Sequence, residues 1–512
     1  MKSLKSISLG ILLSVFCSFL VHAQNEQDAL RYSRFFPYTT ARSLSLGGAM
    51  GAVGHDIGSY SINPAGIAVN RYNLLSFSGG SLQTISSGNY AGDISKANRL
   101  NNNIPSMGIV LTGIQYDEKN RPVTNGLANI NLLFSYNRNT PLYDDYTYSG
   151  VNSQSSVADM FAQQANGQST GDLNTNFADP YALAFQTGVI KSSGTYGQYV
   201  PAFVENASNP HPQFLQSGQN TLRGNVNEFT LGLAASYGHR WFIGGSVLLQ
   251  TVRFRSTLNY QEEDINNSAT YIKSMAYNQK LFTSGSGGGI KLGAIYRLND
   301  LVRIGLSYHS AIVYNLTDQY SYNVSSVFDQ AINGSTDYSS PSDQQNFGYH
   351  IYRPARIILS LALVKEKRGL WSFDAEYVNY TNGNLSANNT NSVQPGYDFK
   401  QENKTITTLY KPSLNIRTGG ELYLGNIFLR CGYAYMASPY SNRSAYAAAP
   451  SSRHLLSGGV GITSKYHSLD FGIGYMVGKD YFTPYSINTL PYQSAIVEKQ
   501  SYMMMLTYNY KF

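Results

Sequence analysis

Hydrophobic and polar residues alternate one by one through much of the chain, in segments of similar length. Within Gly126–Arg138, Ala128, Ile130, Leu132, Phe134 and Tyr136 fall on one face; Asn129, Asn131, Ser135 and Asn137 fall on the other. Farther on, Leu414, Ile416, Leu422 and Leu424 oppose Asn415, Arg417 and Glu421, and then Ile427, Leu429, Cys431, Tyr433 and Tyr435 oppose Arg430, Gly432 and Ala434. A period of two marks a half-buried β-strand. Followed along the chain, it predicts about fourteen strands, at 72–85, 105–116, 126–138, 226–238, 241–260, 276–297, 300–322, 352–366, 369–386, 405–424, 427–440, 451–464, 467–482 and 499–512.

The connections between these strands alternate in length. Tight ones at Gly238-His239-Arg240, Arg297–Leu301, Lys365–Gly369, Leu424–Ile427 and Ser464–His467 interleave with long ones at 139–225, 323–351, 387–404 and 483–498. An even number of strands, with short turns at one end and long loops at the other, is the rhythm of a bacterial outer-membrane barrel. A soluble sandwich would also alternate, but nothing in it calls for such a rhythm. Charge follows parity too. Lys291, Arg303, Arg356, Asp374, Glu376, Arg417, Glu421, Arg430 and Asp470 each lie opposite the apolar set of their own strand. The last segment puts Tyr502, Met504, Leu506, Tyr508, Tyr510 and Phe512 on one face. A terminal apolar strand closing on Phe512 is the kind of signal the barrel assembly machinery reads. The fold class expected is therefore all-β, a transmembrane antiparallel barrel.

Composition supports this. Charged residues make up 13% of the chain, about half the usual share in globular proteins. Tyr and Gly are abundant, at 42 and 47 residues. A mean hydropathy of −0.26 is too low for a helical membrane bundle and suits strands with one apolar face. Lys2 and Lys5 precede an apolar run from Ile7 to Val21 and a small-residue site at Val21-His22-Ala23. That run, about 15 residues, falls short of the ~20 a helix needs to span a bilayer. Residues 1–23 are thus expected to be a cleaved export signal. It takes Cys17 with it and leaves Cys431 as the sole thiol, so no internal disulfide is expected. No basic run interleaved with aromatics points to nucleic acid. In the longest loop, 139–225, Ser156–Ala165 and Asp179–Ile190 carry helical signals, with Asp179 placed as a cap before Pro180.

Several stretches resemble the FadL/TodX family of outer-membrane transport proteins for hydrophobic compounds. They are RSLSLGGAMGAVGHDIGSYSINPAGIAV (42–69), GGGIKLGAIYRLNDLVRIGLSYHSAIVYNLTDQY (287–320), WSFDAEYVNYTNG (371–383), LNIRTGGELYLGNIFLRCGYAYMASPY (414–440) and the closing Phe512. The resemblance implies a fourteen-stranded barrel, 72–512, with an N-terminal hatch, 24–71, inside its lumen. It implies passive uptake without a cofactor, by a monomer in the outer membrane of a Gram-negative-type bacterium, surrounded by outer-membrane lipids. Long-chain fatty acids or similar hydrophobic small molecules would be captured by the outer loops and leave sideways through the wall. The exit is a gap at a kink in the third strand, expected near Ala128–Phe134, with Asn63-Pro64-Ala65 beside it.

The residues of the hatch bear on this. SLGGAMGAVGHDIGSYSINPAGIA (45–68) has neither the glycine spacing nor the following Lys of a phosphate loop. Its small side chains suit backbone packed closely inside a lumen, and Pro64 fixes a turn that Asn63 can begin. The resemblance makes Asn63, Pro64 and Ala65 ligand or gate candidates, with Phe35 and Phe36 lining an apolar path or anchoring the hatch. Lumenal Lys291, Arg303, Arg417 and Arg430 are candidates for an acidic headgroup, against the alternative of an internal ion-pair network that holds the hatch. Tyrosines near strand ends read as interfacial girdles. No metal-ligand spacing is present, and no G-x-S-x-G or oriented Ser-His pair supports a hydrolase. A haem-binding receptor and a general porin or adhesin barrel remain the alternatives.

Overall fold

The computed structural model describes residues 26–203, 212–266, 271–332, 334–388, 397–441, 451–487, 490 and 492–512. The expected export signal, 1–23, lies outside the described residues. Antiparallel strands close into a 14-strand barrel. They are β1 (Leu74–Tyr90), β2 (Asp93–Ile114), β3 (Leu127–Pro141, continued as Asp144–Asn152), β4 (Phe214–Tyr237), β5 (Trp241–Asp264) and β6 (Ile272–Arg297). Next come β7 (Val302–His309 and Ile312–Ile332), β8 (Ser335–Pro341, Gln345–Arg353 and Arg356–Lys365) and β9 (Gly369–Asn379, with Asn384–Ala387). The circuit ends with β10 (Pro412–Leu424), β11 (Ile427–Met436), β12 (Arg453–Thr463), β13 (His467–Phe482) and β14 (Ala495–Lys511). β14 closes the ring on β1, in register from Leu74↔Lys511 to Asn89↔Ile496.

The burial pattern is inverted relative to a soluble protein. Val247 and Leu249 are 63% and 50% exposed, whereas Lys291 and Arg417 are 1% and 2% exposed. On β5 the outward positions from Trp241 to Leu249 are apolar, and beyond Thr251 they become Arg253, Arg255, Asn259 and Gln261. At ~3.3 Å per residue, that apolar stretch covers about 30 Å of a tilted strand, about 23 Å in height and close to the ~25 Å of the hydrocarbon band. The strands run well past the band on the long-loop side.

This overrun accounts for most departures from the sequence reading. Residues 86–104 are not a loop. β1 and β2 continue as a paired ribbon to the turn at Ala91 and Gly92, both at positive φ. Outside the membrane the outward face meets water instead of lipid, and the inward Ser86 and Gly88 pack against the continuation of β3, so apolar alternation disappears although the strand persists. β4 and β8 likewise begin earlier than expected, at Phe214 and Ser335. The expected strand 405–424 is corrected at its start. Lys400–Leu409 is a helix, whose Ile406 and Leu409 sit on one face and are buried, and β10 starts at Pro412. Between β3 and β4 lie α4 (Val157–Ala165), α5 (Thr170–Thr175) and α6 (Pro180–Gln186). The Ser156 hydroxyl caps α4 by accepting from Ala158 N, and α6 starts after Asp179; α5 carried no apolar periodicity strong enough to be foreseen.

Inside the barrel sit α1 (Glu26–Arg31), α2 (Ala41–Ser45), α3 (Ile57–Ile62) and a 3-10 turn, Pro64–Val69, nearly all buried. Gly47, at φ +62°, lies against the Tyr433 backbone, and a Cβ on Gly432 would strike Leu46 and Gly47. Small residues on both partners allow backbone to meet backbone.

Candidate functional site: a cavity at an interrupted wall

The lumenal charges hold the hatch. Arg42 grips Glu421 through two hydrogen bonds of 2.9 Å, and Glu421 also takes Arg430 at 2.5 Å. Arg430 in turn donates to Asp470 at 2.6 Å. Asp374 accepts from the backbone of Met50 at 3.0 Å and Gly51 at 3.1 Å. Arg356 and Arg417 share Glu376, at 3.2 and 3.1 Å. Lys291 pairs with Glu228 at 2.5 Å and reaches the Ser61 carbonyl at 3.0 Å, while Arg303 donates to the Val53 carbonyl at 3.2 Å. Of the four basic candidates, three are thus spent on carboxylates and the fourth on hatch backbone. Buried charges so arranged satisfy one another.

Asn63 spans hatch and wall. Its amide donates to the carbonyls of Gly51, at 2.7 Å, and Ala294, at 3.3 Å, and its Oδ1 accepts from Ala65 N at 3.0 Å. Pro64 and Ala65 rest on β5 at Gly244, a position where any Cβ would collide with them. Asn129 and Asn131 of β3 donate to the carbonyls of Ala68, Ile67 and Asn70. Phe35 lies beneath Arg356, 5.0 Å from its ring, and edge-on to His309.

The wall is interrupted elsewhere. Across Asn129–Phe134, within the span where a break was expected, β3 is paired on both sides, with β2 and β4, and the irregularity there is a register shift at Ala128. The β2–β3 ladder instead ends at Ser106↔Asn137. Past that point β2 pairs with β1, while β3 shifts register between Arg138 and Thr140 and its continuation pairs with β4. Two prolines flank the break, Pro105 on β2 and Pro141 on β3. Neither has an N–H to give a ladder, which is why pairing stops there. The β3 continuation folds in behind β1, where Gly150 leaves room for its backbone beside the Tyr90 carbonyl.

A cavity of about 240 Å³ lies at this break. Its floor includes Leu30, Phe36 and Phe254, its walls Leu82, Met476 and Met503, and its lips Pro105, Arg138 and Pro141. Charge is gathered on one side. Asp480 receives Lys499 at 2.7 Å, Arg453 at 3.1 Å and Arg34 at 3.8 Å, and Lys499 also meets Asp144. Arg138 lines the lip with its Nε buried and unbonded among the described residues. The structure therefore brings Phe36 to the cavity but not Phe35, Asn63, Pro64, Ala65 or the four basic candidates. Arg34, Arg138, Asp144, Arg453, Asp480 and Lys499 went unforeseen. Pro141 ending the alternation of its strand was the available signal.

Above the cavity the mouth is covered. Val157, Phe161 and Leu183 of the lid helices pack with Tyr148, Tyr260 and Tyr277 in one apolar cluster. Glu262 of β5 fastens the lid by accepting from Ser156 Oγ at 2.5 Å and Val157 N at 2.8 Å. Asp159 completes the cap by accepting from Ser156 N at 2.8 Å, and burial pushes its carboxyl up to about 7.

A closed barrel with an apolar belt, a hatch bolted inside it and an apolar cavity behind an interrupted wall defines a hatched outer-membrane channel. Residues 198–512 match the family described as outer membrane protein transport protein (OMPP1/FadL/TodX). The chain belongs to this family, whose members are outer-membrane transporters of hydrophobic compounds. No curated protein matches. Among solved structures, a FadL homologue of Pseudomonas aeruginosa aligns at TM-score 0.54 and 11% identity, covering 94% of this chain and 99% of that one. The toluene transporter TodX of Pseudomonas putida aligns at TM-score 0.48 and 12% identity, covering 92% and 98%. The first of these supports the fold.

Proposed function

We propose that the protein is a passive channel for long-chain fatty acids or similar amphipathic, hydrophobic small molecules, which cross the wall between β2 and β3. The observation that carries this reading is the cavity itself, whose lips are the residues where the ladder stops. Its apolar floor suits an acyl chain or aromatic ring, and its cationic side suits a polar end. No nucleotide or ion coupling is needed, because transfer from water or leaflet into such a site is downhill for apolar surface.

Bridging the lips tests the route. In a Cys431→Ala background, which removes the exposed thiol, Asn103→Cys and Thr140→Cys are joined by a cleavable thiol cross-linker. The protein is then placed in liposomes with labelled oleate or toluene. Uptake falls to the level of empty vesicles when the lips are bridged and returns on cleavage. Uptake that is unchanged by the bridge refutes lateral passage; no uptake of any apolar solute by the unbridged protein refutes the transport reading.

A further inference from the structure

Beyond the apolar band, the outward surface of β4 to β6 carries a basic patch that transport through the cavity does not use. Arg253 stands in register between Asn225 and Ser284, and Arg255 between Arg223 and Phe282. Lys280 lies one residue pair farther out, beside Thr257, and Asn225 faces Pro141 at the wall break. Arg223 is tied to Asp145 at 2.5 Å. Among the described residues, Arg253, Arg255 and Lys280 meet no carboxylate; Arg255 instead lies 5.0 Å from the Phe282 ring. On the far wall, Lys479 of β13 is matched by Glu498 of β14 at 2.5 Å.

Depth decides what such a patch meets. Arg253 comes four residues after Leu249, the last apolar outward position on β5, which is ~13 Å along a tilted strand and about 10 Å in height. Long basic side chains reach back across that distance to the headgroup layer. Outward-facing guanidinium forks at headgroup depth, without protein carboxylates to satisfy them, match phosphate in geometry and charge.

We propose that this patch binds the phosphate groups of outer-leaflet lipid and so fixes a lipid beside the β2–β3 lips. The full-length protein in detergent is titrated with diphosphoryl lipid A, the same lipid without its phosphates, and inorganic phosphate, with adducts counted by native mass spectrometry. Diphosphoryl lipid binds, dephosphorylated lipid binds about tenfold more weakly, and inorganic phosphate leaves no adduct. R253Q/R255Q/K280Q lowers lipid affinity about tenfold, whereas K479Q on the far wall leaves it unchanged; the heat-induced shift in gel mobility verifies that each barrel is folded. Raising salt from about 0.05 to about 0.5 M weakens wild-type binding, as screening of exposed charges requires. Equal affinity for the dephosphorylated lipid, equal affinity in the triple variant, salt-independent binding, or equal retention of inorganic phosphate each overturns the proposal.

Discussion

The two halves of the lumen use charge in opposite ways. In the lower half, Glu376, Glu421 and Glu228 are almost wholly buried, and each is enclosed by the cations it neutralises. At the cavity, Asp480 is 26% exposed in its side chain and shares three cations, and Arg138 meets no carboxylate among the described residues. The first arrangement immobilises a hatch; the second leaves polar capacity facing a cavity. A lumenal charge is thus informative about ligands where its neighbours leave it incompletely matched.

Four changes would break or sharpen this contrast. The largest effect is expected for Glu376→Ala, which leaves Arg356 and Arg417 buried beside each other. The loss is about 3–5 kcal/mol, read as a lower urea midpoint for the refolded barrel, whereas Asp480→Asn at the wetter site costs less. Next, Gly432→Val drives a side chain into Leu46 and Gly47 and displaces the hatch. Single-channel recording then shows leak of small ions that the wild type excludes, with the barrel still folded by its gel shift. Third, Met503→Trp fills the cavity and leaves the ion pairs of the hatch in place, while crowding Phe36, Tyr38 and Leu44 in the cluster they share. Oleate uptake drops about tenfold, equivalent to ~1.4 kcal/mol in occupancy, against a stability cost of about 1–3 kcal/mol from overpacking.

The smallest effect concerns the lid and pH. Because burial raises the Asp159 carboxyl to about 7 from an ordinary carboxylate value, the folded lid favours the protonated form. The lid's full stability is therefore present below the unfolded value near 4 and is lost as pH rises through 7. Protease nicking within 153–203 should increase between pH 5 and 8, and Asp159→Asn should reduce that dependence.

Where the membrane imposes one apolar face, the chain declares its strands. β3, β10 and β11 were readable residue by residue, as was the inward set Lys291, Arg417 and Arg430. Beyond the belt, the ribbon 86–104 looks like a loop because Lys96 and Asn98 face water where lipid would demand apolar residues, and the buried positions Ser86 and Gly88 are not apolar. Lys400–Leu409 misled for a related reason: a short amphipathic helix beside a strand blurs the two periods. The cavity was less legible still. Arg34, Arg138, Asp480 and Lys499 come from four distant segments, and no local pattern announces that they meet. Asn63-Pro64-Ala65 was legible as a packing element, and its partners on β5 and β6 became visible with the fold.

The hatch also sets a schedule for assembly. Arg42 is bonded to Glu421, 379 residues later, and Ala41 N to Thr507 Oγ1, 466 residues later. The segment that leads the barrel strands out of the ribosome finds its last partner in the strand made last. Until β14 zips onto β1, the glycine-rich leader has no finished chamber to occupy, so sealing the ring and seating its contents belong to one cooperative event near the end of insertion.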